Sequence, residues 1–394
     1  MFDFISNTIK MEKSLTNNNL LIDIAKTFGT PVYVYNQHVI QSQIQKLQDF
    51  FQDFPYEIHY AMKANENPEI LKIMLQNGLG IDAVSINEIK RALSVGFPKE
   101  KIIYTPSCPS EEELRFALGQ QIHTHIGATE YFDFILKNYP DISIGLRINP
   151  GNRIGGNQKI ATAHHDSKFG IPINQLEIIK QYMSKGLRVD SLHLHTGSDV
   201  KTWQDLARSV DVIFDFSKHF NRLKYIDLGS GFKVKYHHDD IEIDLKSYAN
   251  YIKNKLDALP YPIHIKFEPG KYLVSEAGVL LVKVNVVKQG FNKKFVGVNS
   301  GFHHLIRPMY YDAYHEIINL SNIAPATEKY EVVGVLCEED TFAHDRLLSS
   351  VKKDDILMIK NAGAYGFAMS SIYNLREKPK EVLITDNGVK EISV

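Results

Sequence analysis

A lysine at position 63 stands at the junction between a predicted strand and a predicted helix. The segment Tyr56-Glu-Ile-His-Tyr-Ala-Met62 alternates loosely in polarity, as a half-buried strand does, and Asn67-Pro68 opens a helical pattern of apolar residues. Lys63 therefore falls at the C-terminal end of a strand in a βα unit, where barrel enzymes carry their catalytic groups. A lysine amine in an apolar setting can form a Schiff base with an aldehyde cofactor. The alternative is a solvated surface lysine, which is the commoner case near strand ends.

A glycine turn follows a second predicted strand. Gly229-Ser230-Gly231 comes directly after Tyr225-Ile-Asp-Leu228 and can present backbone N–H groups to a phosphate, since glycine allows close approach and positive φ. It is a poor dinucleotide fingerprint, because Val234 occupies the position of the third glycine. A tight barrel turn without a ligand is an equally good interpretation of this segment.

Two histidines lie two residues apart on a third predicted strand. His193 and His195 therefore project from the same face, as metal-binding histidines do in barrel hydrolases. No helical His-x-x-x-His and no carboxylate in a convincing position completes such a site. His164-His165 with Asp166 falls in a predicted loop. A metal-dependent hydrolase is thus the rival hypothesis, and metal analysis against the yellow absorbance of a cofactor distinguishes the two.

The elements that position these residues predict two domains. Apolar strand patterns alternate with helical patterns from Pro31 to about Gly270, which favours a closed (β/α)8 TIM-like barrel over an open sheet. After Gly270 the strands follow one another with little helix between them, which predicts an all-β second domain. The expected domains are a segment 1–35 that adds to the β-domain, a barrel over 36–271 and a C-terminal β-domain over 272–394. Residues 1–29 carry a helical pattern that ends at Gly29.

Composition narrows the function to small-molecule chemistry. With 45 basic and 46 acidic residues the net charge is −1, which gives no electrostatic case for nucleic acid or an anionic membrane. The 394 residues, 44% of them hydrophobic, suffice for a barrel and a second domain. Two cysteines, Cys108 and Cys337, argue against a disulfide framework. Because the first residues lack a signal-peptide pattern, a cytoplasmic location is expected.

The motifs together resemble a known family. Tyr60-Ala-Met-Lys-Ala-Asn65 resembles the lysine motif of the fold-type III pyridoxal-phosphate-dependent decarboxylases, and the later motifs are similar to the diaminopimelate decarboxylases among them. These motifs occur in the family's order over about Thr30 to Leu383: Gly80-Ile-Asp-Ala-Val-Ser85, His195-Thr-Gly-Ser198, Asp227-Leu-Gly-Ser-Gly231, Glu268-Pro-Gly270, Leu305-Ile-Arg-Pro308, Cys337-Glu338 and Asn361-Ala-Gly-Ala-Tyr-Gly366. The resemblance implies a barrel with a C-terminal β-domain, as in alanine racemase.

The resemblance also implies a pyridoxal 5'-phosphate site. In that site Lys63 carries the cofactor as an imine, and Glu268 keeps the pyridine nitrogen protonated so that the ring can absorb the electrons left when CO2 departs. His195 stacks on the ring face, whereas His193 is expected to be a packing residue. The implied cofactor-binding residues are Lys63, Asp82, His195, Ser198, Gly229, Gly231, Glu268, Gly270, Lys271 and Tyr365. No metal ligand is implied.

Substrate choice is predicted from the charges that a diaminopimelate molecule presents. Its second amino-acid head needs a reader for a distal carboxylate, and the planar fork of Arg307 suits it, whereas an acidic group such as Glu338 suits the distal ammonium. The implied substrate-binding residues are Lys271, Arg307, Tyr311, Glu338 and Tyr365. Lys271 is a departure, since the family has arginine after Glu-Pro-Gly, and lysine lacks the bidentate fork.

The expected activity is that of a carbon–carbon lyase that converts meso-2,6-diaminopimelate to L-lysine and CO2, the last step of lysine biosynthesis. Lys63 and Cys337 are its catalytic residues, with the Cys337 thiol protonating the carbanion. The alternatives are a related decarboxylase of basic amino acids or carboxylated polyamines and a non-catalytic regulatory homologue that binds the cofactor. A homodimer with shared active sites is expected, with Lys63, His195 and Glu268 from one subunit and Cys337 and Glu338 from the other.

Overall fold

The computed structural model describes residues 14–151, 165–195 and 197–394. The strands in chain order are β1 Val32–Asn36, β2 Tyr56–Ala61, β3 Gly80–Ala83, β4 Ile102–Tyr104, β5 His123–Ile126, β6 Ser143–Asn149, β7 Ile171–Pro172, β8 Arg188–His193, β9 Tyr225–Asp227, β10 His264–Phe267, β11 Gly278–Gln289, β12 Lys294–Val298, β13 Ile317–Asn319, β14 Glu328–Val333, β15 Thr341–Leu348, β16 Ile356–Ile359, β17 Lys380–Thr385 and β18 Gly388–Glu391.

The helices alternate with the strands in the first two thirds of the chain. They are α1 Asn18–Phe28, α2 Gln37–Phe51, α3 Pro68–Gln76, α4 Ile86–Val95, α5 Glu111–Gly119, α6 Phe132–Asn138, α7 Leu176–Ser184, α8 Trp203–Ser217, α9 Leu245–Asp257, α10 Lys271–Val274 and α11 Arg307–Tyr311. Over the described ranges, none of these helices has the length and apolar character needed to cross a membrane.

Eight parallel strands close a barrel. Their order is β2-β3-β4-β5-β6-β8-β9-β10, and β10 pairs back to β2. The short β7 pairs with β6 outside this ring. Residues 44–233 and 241–270 form this compact unit. The predicted (β/α)8 barrel is therefore confirmed.

Local sequence signals explain where the helix after β2 begins. The Asn67 side chain accepts a hydrogen bond from the Glu69 N–H at 3.0 Å, and Pro68 occupies the first helical position of α3. The buried face of α3 carries Ile70, Leu71, Ile73 and Met74, at the spacing that predicted it. The capped helix that the Asn67-Pro68 pair predicted is confirmed.

The barrel interior is unusually polar. The buried residues include His59, Asp82, His125, His193, Asp227, Lys266 and Glu268. Several of them meet across strands that are not neighbours in the sheet: a histidine of β5 stacks on one of β8, and the same residue of β8 bonds the end of β10. Contacts of that kind run through the barrel's interior, so these side chains point inward.

The second unit is mostly sheet. Of the described residues, it contains 14–43 together with 234–240 and 271–394. One sheet path runs β15-β14-β12-β11-β1-β17-β18, and β16 joins β11 to β13. The early strand β1 pairs antiparallel with β11 and parallel with β17. The predicted mostly-β second domain is confirmed, while its predicted boundaries stay a prediction.

Helix α1 covers part of this sheet. Leu21, Ile24 and Ala25 on α1 pack with buried residues of β1, β11 and β17 in one hydrophobic cluster. The helix ends at Phe28 with Gly29 as its C-terminal cap at φ +84°, where the sequence pattern placed its end. The opening strand is thereby held between two later strands and under a helix.

Candidate active site

Lys63 lies just past the carboxyl end of β2. The sequence placed it at the C-terminal end of a strand; β2 ends at Ala61, and Met62–Ala64 form one 3-10 turn that the Asn65 N–H closes onto the Met62 carbonyl. Lys63 Nζ is 2.7 Å from Asp82 Oδ2 on β3. The lysine side chain is 41% exposed and the aspartate side chain 1%. A buried carboxylate thus holds an amine that a ligand can reach.

The carboxyl of Asp82 is buried near another acidic group, which disfavours its ionised form. Burial raises the pKa of its carboxyl, the charge of Glu268 raises it further, and Lys63 lowers it. Asp82 lies opposite Ala61 in the parallel register of β2 and β3. The backbone pairing therefore fixes the side chain that orients Lys63.

Glu268 directly follows β10 and is buried. Its Oε2 lies 3.0 Å from His193 Nε2, and its Oε1 accepts a hydrogen bond from Thr105 Oγ1 at 3.3 Å. Burial alone raises the pKa of this carboxyl, but the charge and hydrogen bond of His193 and the charge of Lys63 hold it well below its usual range. Glu268 is therefore a buried carboxylate. His193, predicted to be a packing residue, instead bonds this carboxylate.

The glycine turn after β9 is in contact with His195. Gly229 and Gly231 have φ of +58° and +124°. A Cβ added at Gly229 would lie 2.6 Å from His195 Nδ1, and one at Gly231 would lie 2.6 Å from the Gly197 carbonyl oxygen. Only glycine fits here, in conformation and in space. The turn bonds His195 as well, because the Ser230 N–H donates to Nδ1 at 3.4 Å.

His195 is an uncharged ring in this environment. Burial lowers its pKa to about 3, and the charge of Arg147 contributes. Ser198 lies half-buried in the loop that follows, and Thr196 of the same motif is outside the described residues. A neutral imidazole at this place can cover an aromatic ring without adding a positive charge.

The Glu-Pro-Gly segment packs directly on the turn that carries Lys63. The Ala61 N–H donates to the Pro269 carbonyl at 3.2 Å, and a Cβ added at Gly270 would lie 3.0 Å from the Ala61 carbonyl oxygen. The structure thus brings together Lys63, Asp82, His195, Gly229, Gly231, Glu268 and Gly270, all within the barrel unit.

In the second unit, two predicted cationic residues meet at one tyrosine. Arg307, buried at the start of α11, donates from Nη1 to the Tyr236 hydroxyl at 2.6 Å, and its Cζ lies 4.8 Å from the ring centroid. Lys271 Nζ is 5.8 Å from the same centroid. The Tyr236 hydroxyl also lies 2.9 Å from Ser275 Oγ. Tyr236 belongs to 234–240, a segment that the sequence patterns assigned to the barrel.

Cys337 and Glu338 are exposed residues of the second unit. Cys337 Sγ is 3.5 Å from Asn374 Oδ1, and the Tyr373 hydroxyl donates to Glu338. Of the other predicted residues there, Tyr311 ends α11, where burial raises the pKa of its hydroxyl. Tyr365 is half-buried with a φ of +55°, a left-handed conformation uncommon for a tyrosine.

Comparison with known proteins identifies the family. Residues 37–275 match the family described as pyridoxal-dependent decarboxylase, pyridoxal binding domain. The diaminopimelate decarboxylase of Methanothermobacter thermautotrophicus is 33% identical over 93% of this chain and 90% of its own length, and that of Campylobacter jejuni is 34% identical over 94% of each. The chain belongs to the diaminopimelate decarboxylase family.

Solved structures of this family superpose on most of the chain. The diaminopimelate decarboxylase from Helicobacter pylori in complex with L-lysine has a TM-score of 0.88 at 29% identity, covering 95% of this chain and 96% of that one. A lysine/ornithine decarboxylase from Vibrio vulnificus shares the fold at 19% identity, with a TM-score of 0.83. The family and fold predicted from the motifs are confirmed, and with them the dependence on pyridoxal phosphate.

The barrel residues fit the cofactor of this decarboxylase family. Pyridoxal phosphate needs an accessible amine, a buried carboxylate and a turn that admits a phosphate. The barrel supplies Lys63, Glu268 and Gly229–Gly231 for these three roles. Asp82 Oδ1 and Asp227 Oδ2 are buried without a hydrogen-bond partner among the described residues. The set matches the donors and acceptors that pyridoxal phosphate presents.

The structure groups different residues as possible metal ligands than the rival metal hypothesis assumed. Among the described residues His193 does not join His195 in a cluster of ligand atoms. It joins His125 and Glu268, with all three ligand atoms within 4.8 Å of one another. The two imidazole rings are stacked at 4.8 Å with only 9° between their planes. Since an imidazole binds a metal in its own ring plane, two stacked rings do not direct their lone pairs at one ion.

Sequence analysis missed three residues that this decarboxylase fold brings to the candidate sites: Thr105, His125 and Tyr236. His125 carried a usable signal, because His123 and His125 have the same two-residue spacing as His193 and His195. Thr105 and Tyr236 gave none, since each meets its partner only through the fold.

Proposed function

We propose that this chain decarboxylates meso-2,6-diaminopimelate to L-lysine and CO2. The observation that carries the proposal is the presence in one barrel of an accessible Lys63 and a buried, hydrogen-bonded Glu268, in a chain 33% identical to a diaminopimelate decarboxylase over 93% of its length. When bound, pyridoxal phosphate accepts the electron pair that remains after CO2 leaves.

The residues of the barrel divide the work of holding that cofactor. Lys63 would bind its aldehyde carbon, and Asp82 keeps the Lys63 amine in place through the 2.7 Å pair. Glu268 would hold a proton on the pyridine nitrogen, which an ionised carboxylate does and a protonated one does not. Gly229 to Gly231 leave room for a phosphate, and His195 would cover the ring face.

Substrate choice rests on the second unit. Arg307 is nine-tenths buried and bonded to the Tyr236 hydroxyl at 2.6 Å, so its fork is held in one orientation. A fixed guanidinium favours a planar carboxylate over an ammonium group. Decarboxylases of ornithine or lysine meet no distal carboxylate, and Arg307 therefore supports diaminopimelate. Cys337 is proposed as the proton donor to the reacting carbon.

We further propose a homodimer with shared active sites. The segment beside Cys337 and Glu338 exposes apolar side chains: Ile372 is 60% exposed and Leu375 is 92% exposed. Leu375 also has a φ of +56°, a strained conformation for a branched residue. An exposed and strained apolar segment of this kind supports burial by a second subunit. The two cysteines, free and exposed, support a cytoplasmic location.

The experiment that tests the activity is CO2 release from meso-diaminopimelate beside ornithine, lysine, arginine and carboxyspermidine. The proposal expects the highest kcat/KM for diaminopimelate and L-lysine as the product. A preference for another amine would favour the sister decarboxylases. A protein that binds pyridoxal phosphate and turns over none of them would favour the regulatory homologue.

Subunit mixing tests the shared sites. Lys63→Ala and Cys337→Ala proteins, each inactive, are mixed under conditions that let subunits exchange. One site of a mixed dimer then gathers both defects and the other gathers none, so activity returns. Cys108→Ala is the matched control, because Cys108 is the other exposed cysteine. If exchange is verified by mass and the mixture stays inactive, each site is built within one chain.

A further inference from the structure

Glu268 is the end point of two hydrogen-bonded routes inside the barrel. On one side, His193 Nε2 lies 3.0 Å from Oε2. On the other, His125 Nδ1 lies 3.0 Å from Thr105 Oγ1, which lies 3.3 Å from Oε1. These residues come from or directly follow β4, β5, β8 and β10, so half of the barrel's strands contribute to one carboxylate.

The donors and acceptors fix the direction of each bond. An ionised Glu268 only accepts, so the Thr105 hydroxyl donates to Oε1 and its oxygen is left to accept the Nδ1–H of His125. His193 must donate its Nε2–H to Oε2 for the same reason. His125 Nε2 and His193 Nδ1 are buried with no hydrogen-bond partner among the described residues. Burial holds the pKa of His125 well below 6.5, which agrees with a neutral donor at Nδ1.

The glycine on the strand between β5 and β8 makes room for the two histidines. A Cβ added at Gly145 would lie 2.2 Å from His125 Cδ2 and 2.5 Å from Ser191 Oγ, both too close for any side chain. With no side chain there, the rings of His125 and His193 stack across the β6 strand. The arrangement therefore depends on strand β6 as well as on the bonded residues.

Ordinary packing does not account for this set. His123 provides the comparison within the same strand: it is also an inward histidine of β5, but its Nε2 bonds Ser191 Oγ at 2.8 Å and makes no bond to Glu268. Thr105 and His193 each bond one oxygen of Glu268 and His125 bonds Thr105, so both carboxylate oxygens are held in place.

We propose that His193 and the His125–Thr105 pair are positioning residues that hold the Glu268 carboxylate ionised and pointing in one direction. This inference rests on the proposed function, because it is the pyridine nitrogen of the cofactor that Glu268 would serve. Thr105 donates to Oε1 and His193 donates to Oε2, which fixes the orientation of the carboxylate. Because His125 Nδ1 carries a hydrogen, it cannot accept the Thr105 hydroxyl proton, and Thr105 donates that proton to Glu268.

Removing one donor should destabilise the ionised form of Glu268 while keeping the side-chain packing inside the barrel. Thr105→Val keeps the shape and deletes the hydroxyl, whereas Thr105→Ser restores it. His193→Leu deletes the N–H, and His193→Gln restores a donor at about the position of Nε2. His123→Leu is the matched control, since it removes a partly buried histidine of β5 that bonds Ser191 and not Glu268.

The readout is the pH at which Glu268 ionises in the protein without cofactor. It is measured by 13C NMR of protein labelled at the glutamate Cδ, and the Glu268 signal is identified as the one that Glu268→Gln lacks. Losing a hydrogen bond to a charged group should raise its midpoint by about one pH unit or more. Among the described residues, the charged or titratable groups that act on Glu268 or feel its charge are His193, His125, Lys63, Asp82, Asp227, Arg147, His195 and His59. All of them remain in Thr105→Val, so that variant isolates the hydroxyl.

The expected pattern is a raised midpoint in Thr105→Val and His193→Leu, full recovery in Thr105→Ser, partial recovery in His193→Gln, which restores the hydrogen bond but not the charge, and no change in His123→Leu. In the holoenzyme, kcat should fall about tenfold or more for the two deletions, with KM within about threefold. An unmoved Glu268 signal in folded Thr105→Val overturns the inference, even if His193→Leu fails to fold. If the signal moves but no amino acid is decarboxylated, only the proposed function fails.

Discussion

Replacing Arg307 tests the proposed substrate most directly. The guanidinium of Arg307 is buried, and its hydrogen bond to the Tyr236 hydroxyl, 2.6 Å long, holds it in one orientation. Arg307→Ala deletes the proposed reader of the distal carboxylate. Tyr236→Phe keeps the ring, and with it the contact to Lys271 at 5.8 Å, but releases the fork of Arg307. The two variants separate the charge from its orientation.

The expected magnitudes differ. A desolvated charge pair is worth about 2–5 kcal/mol, which corresponds to about a 30- to 4,000-fold loss of kcat/KM for diaminopimelate in Arg307→Ala. One hydrogen bond to a charged group is worth about 1.5–3 kcal/mol, so Tyr236→Phe should lose at most about 10- to 150-fold. Because Tyr236 acts through Arg307, the double variant should be no worse than Arg307→Ala alone.

The assay is CO2 release against diaminopimelate concentration, with cofactor content measured by absorbance in every preparation. Tyr251→Phe is the control, since its hydroxyl bonds Asp211 at 2.7 Å on the helices around the barrel. The loss should lie mainly in KM, and cofactor content should not change. Unaltered kinetics in Arg307→Ala would refute its role as the carboxylate reader, and additive losses in the double variant would refute the route through Tyr236.

Three further predictions concern the barrel. Borohydride reduction of the holoenzyme should attach the cofactor to Lys63, as read by peptide mapping, and a label on Lys271 would contradict the assignment. Gly229→Ala places a Cβ 2.6 Å from His195 Nδ1 at a φ of +58°, so its cofactor affinity, followed by fluorescence titration, should fall. Burial raises the pKa of Glu88 to about 7 from 4.5, so the folded state holds that proton more tightly and stability falls as pH rises through this window. Glu88→Gln should therefore lose less thermal stability between pH 5 and pH 8 than wild type, and an equal loss would contradict this.

Local sequence patterns predicted what is decided locally. The Asn67-Pro68 cap depends on residues within one turn, and so it could be read from the sequence. Lys63 was placed at the C-terminal end of the strand, and β2 does end close before it, at Ala61. The hydrogen bond from the Ala61 N–H to the Pro269 carbonyl, 208 positions away, could not be predicted from local residues.

Residues of the site that are joined across the barrel could not be predicted in this way. Thr105 and Glu268 are 163 positions apart and His193 and Glu268 are 75 apart, and their meeting depends on how the barrel closes. The alternation on β5 shows only that His123 and His125 share a face. Which of the two histidines would bond Thr105, and through it Glu268, depends on how far along the barrel axis each one lies. That position is set by the register between strands.

The two ends of the proposed cofactor site are built as one piece. The Glu268 N–H donates to the Gly229 carbonyl at 2.7 Å, and Ser230 Oγ donates to the Glu268 carbonyl at 3.0 Å. The Gly229 N–H in turn donates to Asp227 Oδ1 at 2.9 Å. The backbone that carries the carboxylate for the ring nitrogen is thus bonded to the backbone proposed for the phosphate. A change at Gly229 should therefore displace Glu268 as well, and a loss of affinity there reports on both ends of the cofactor.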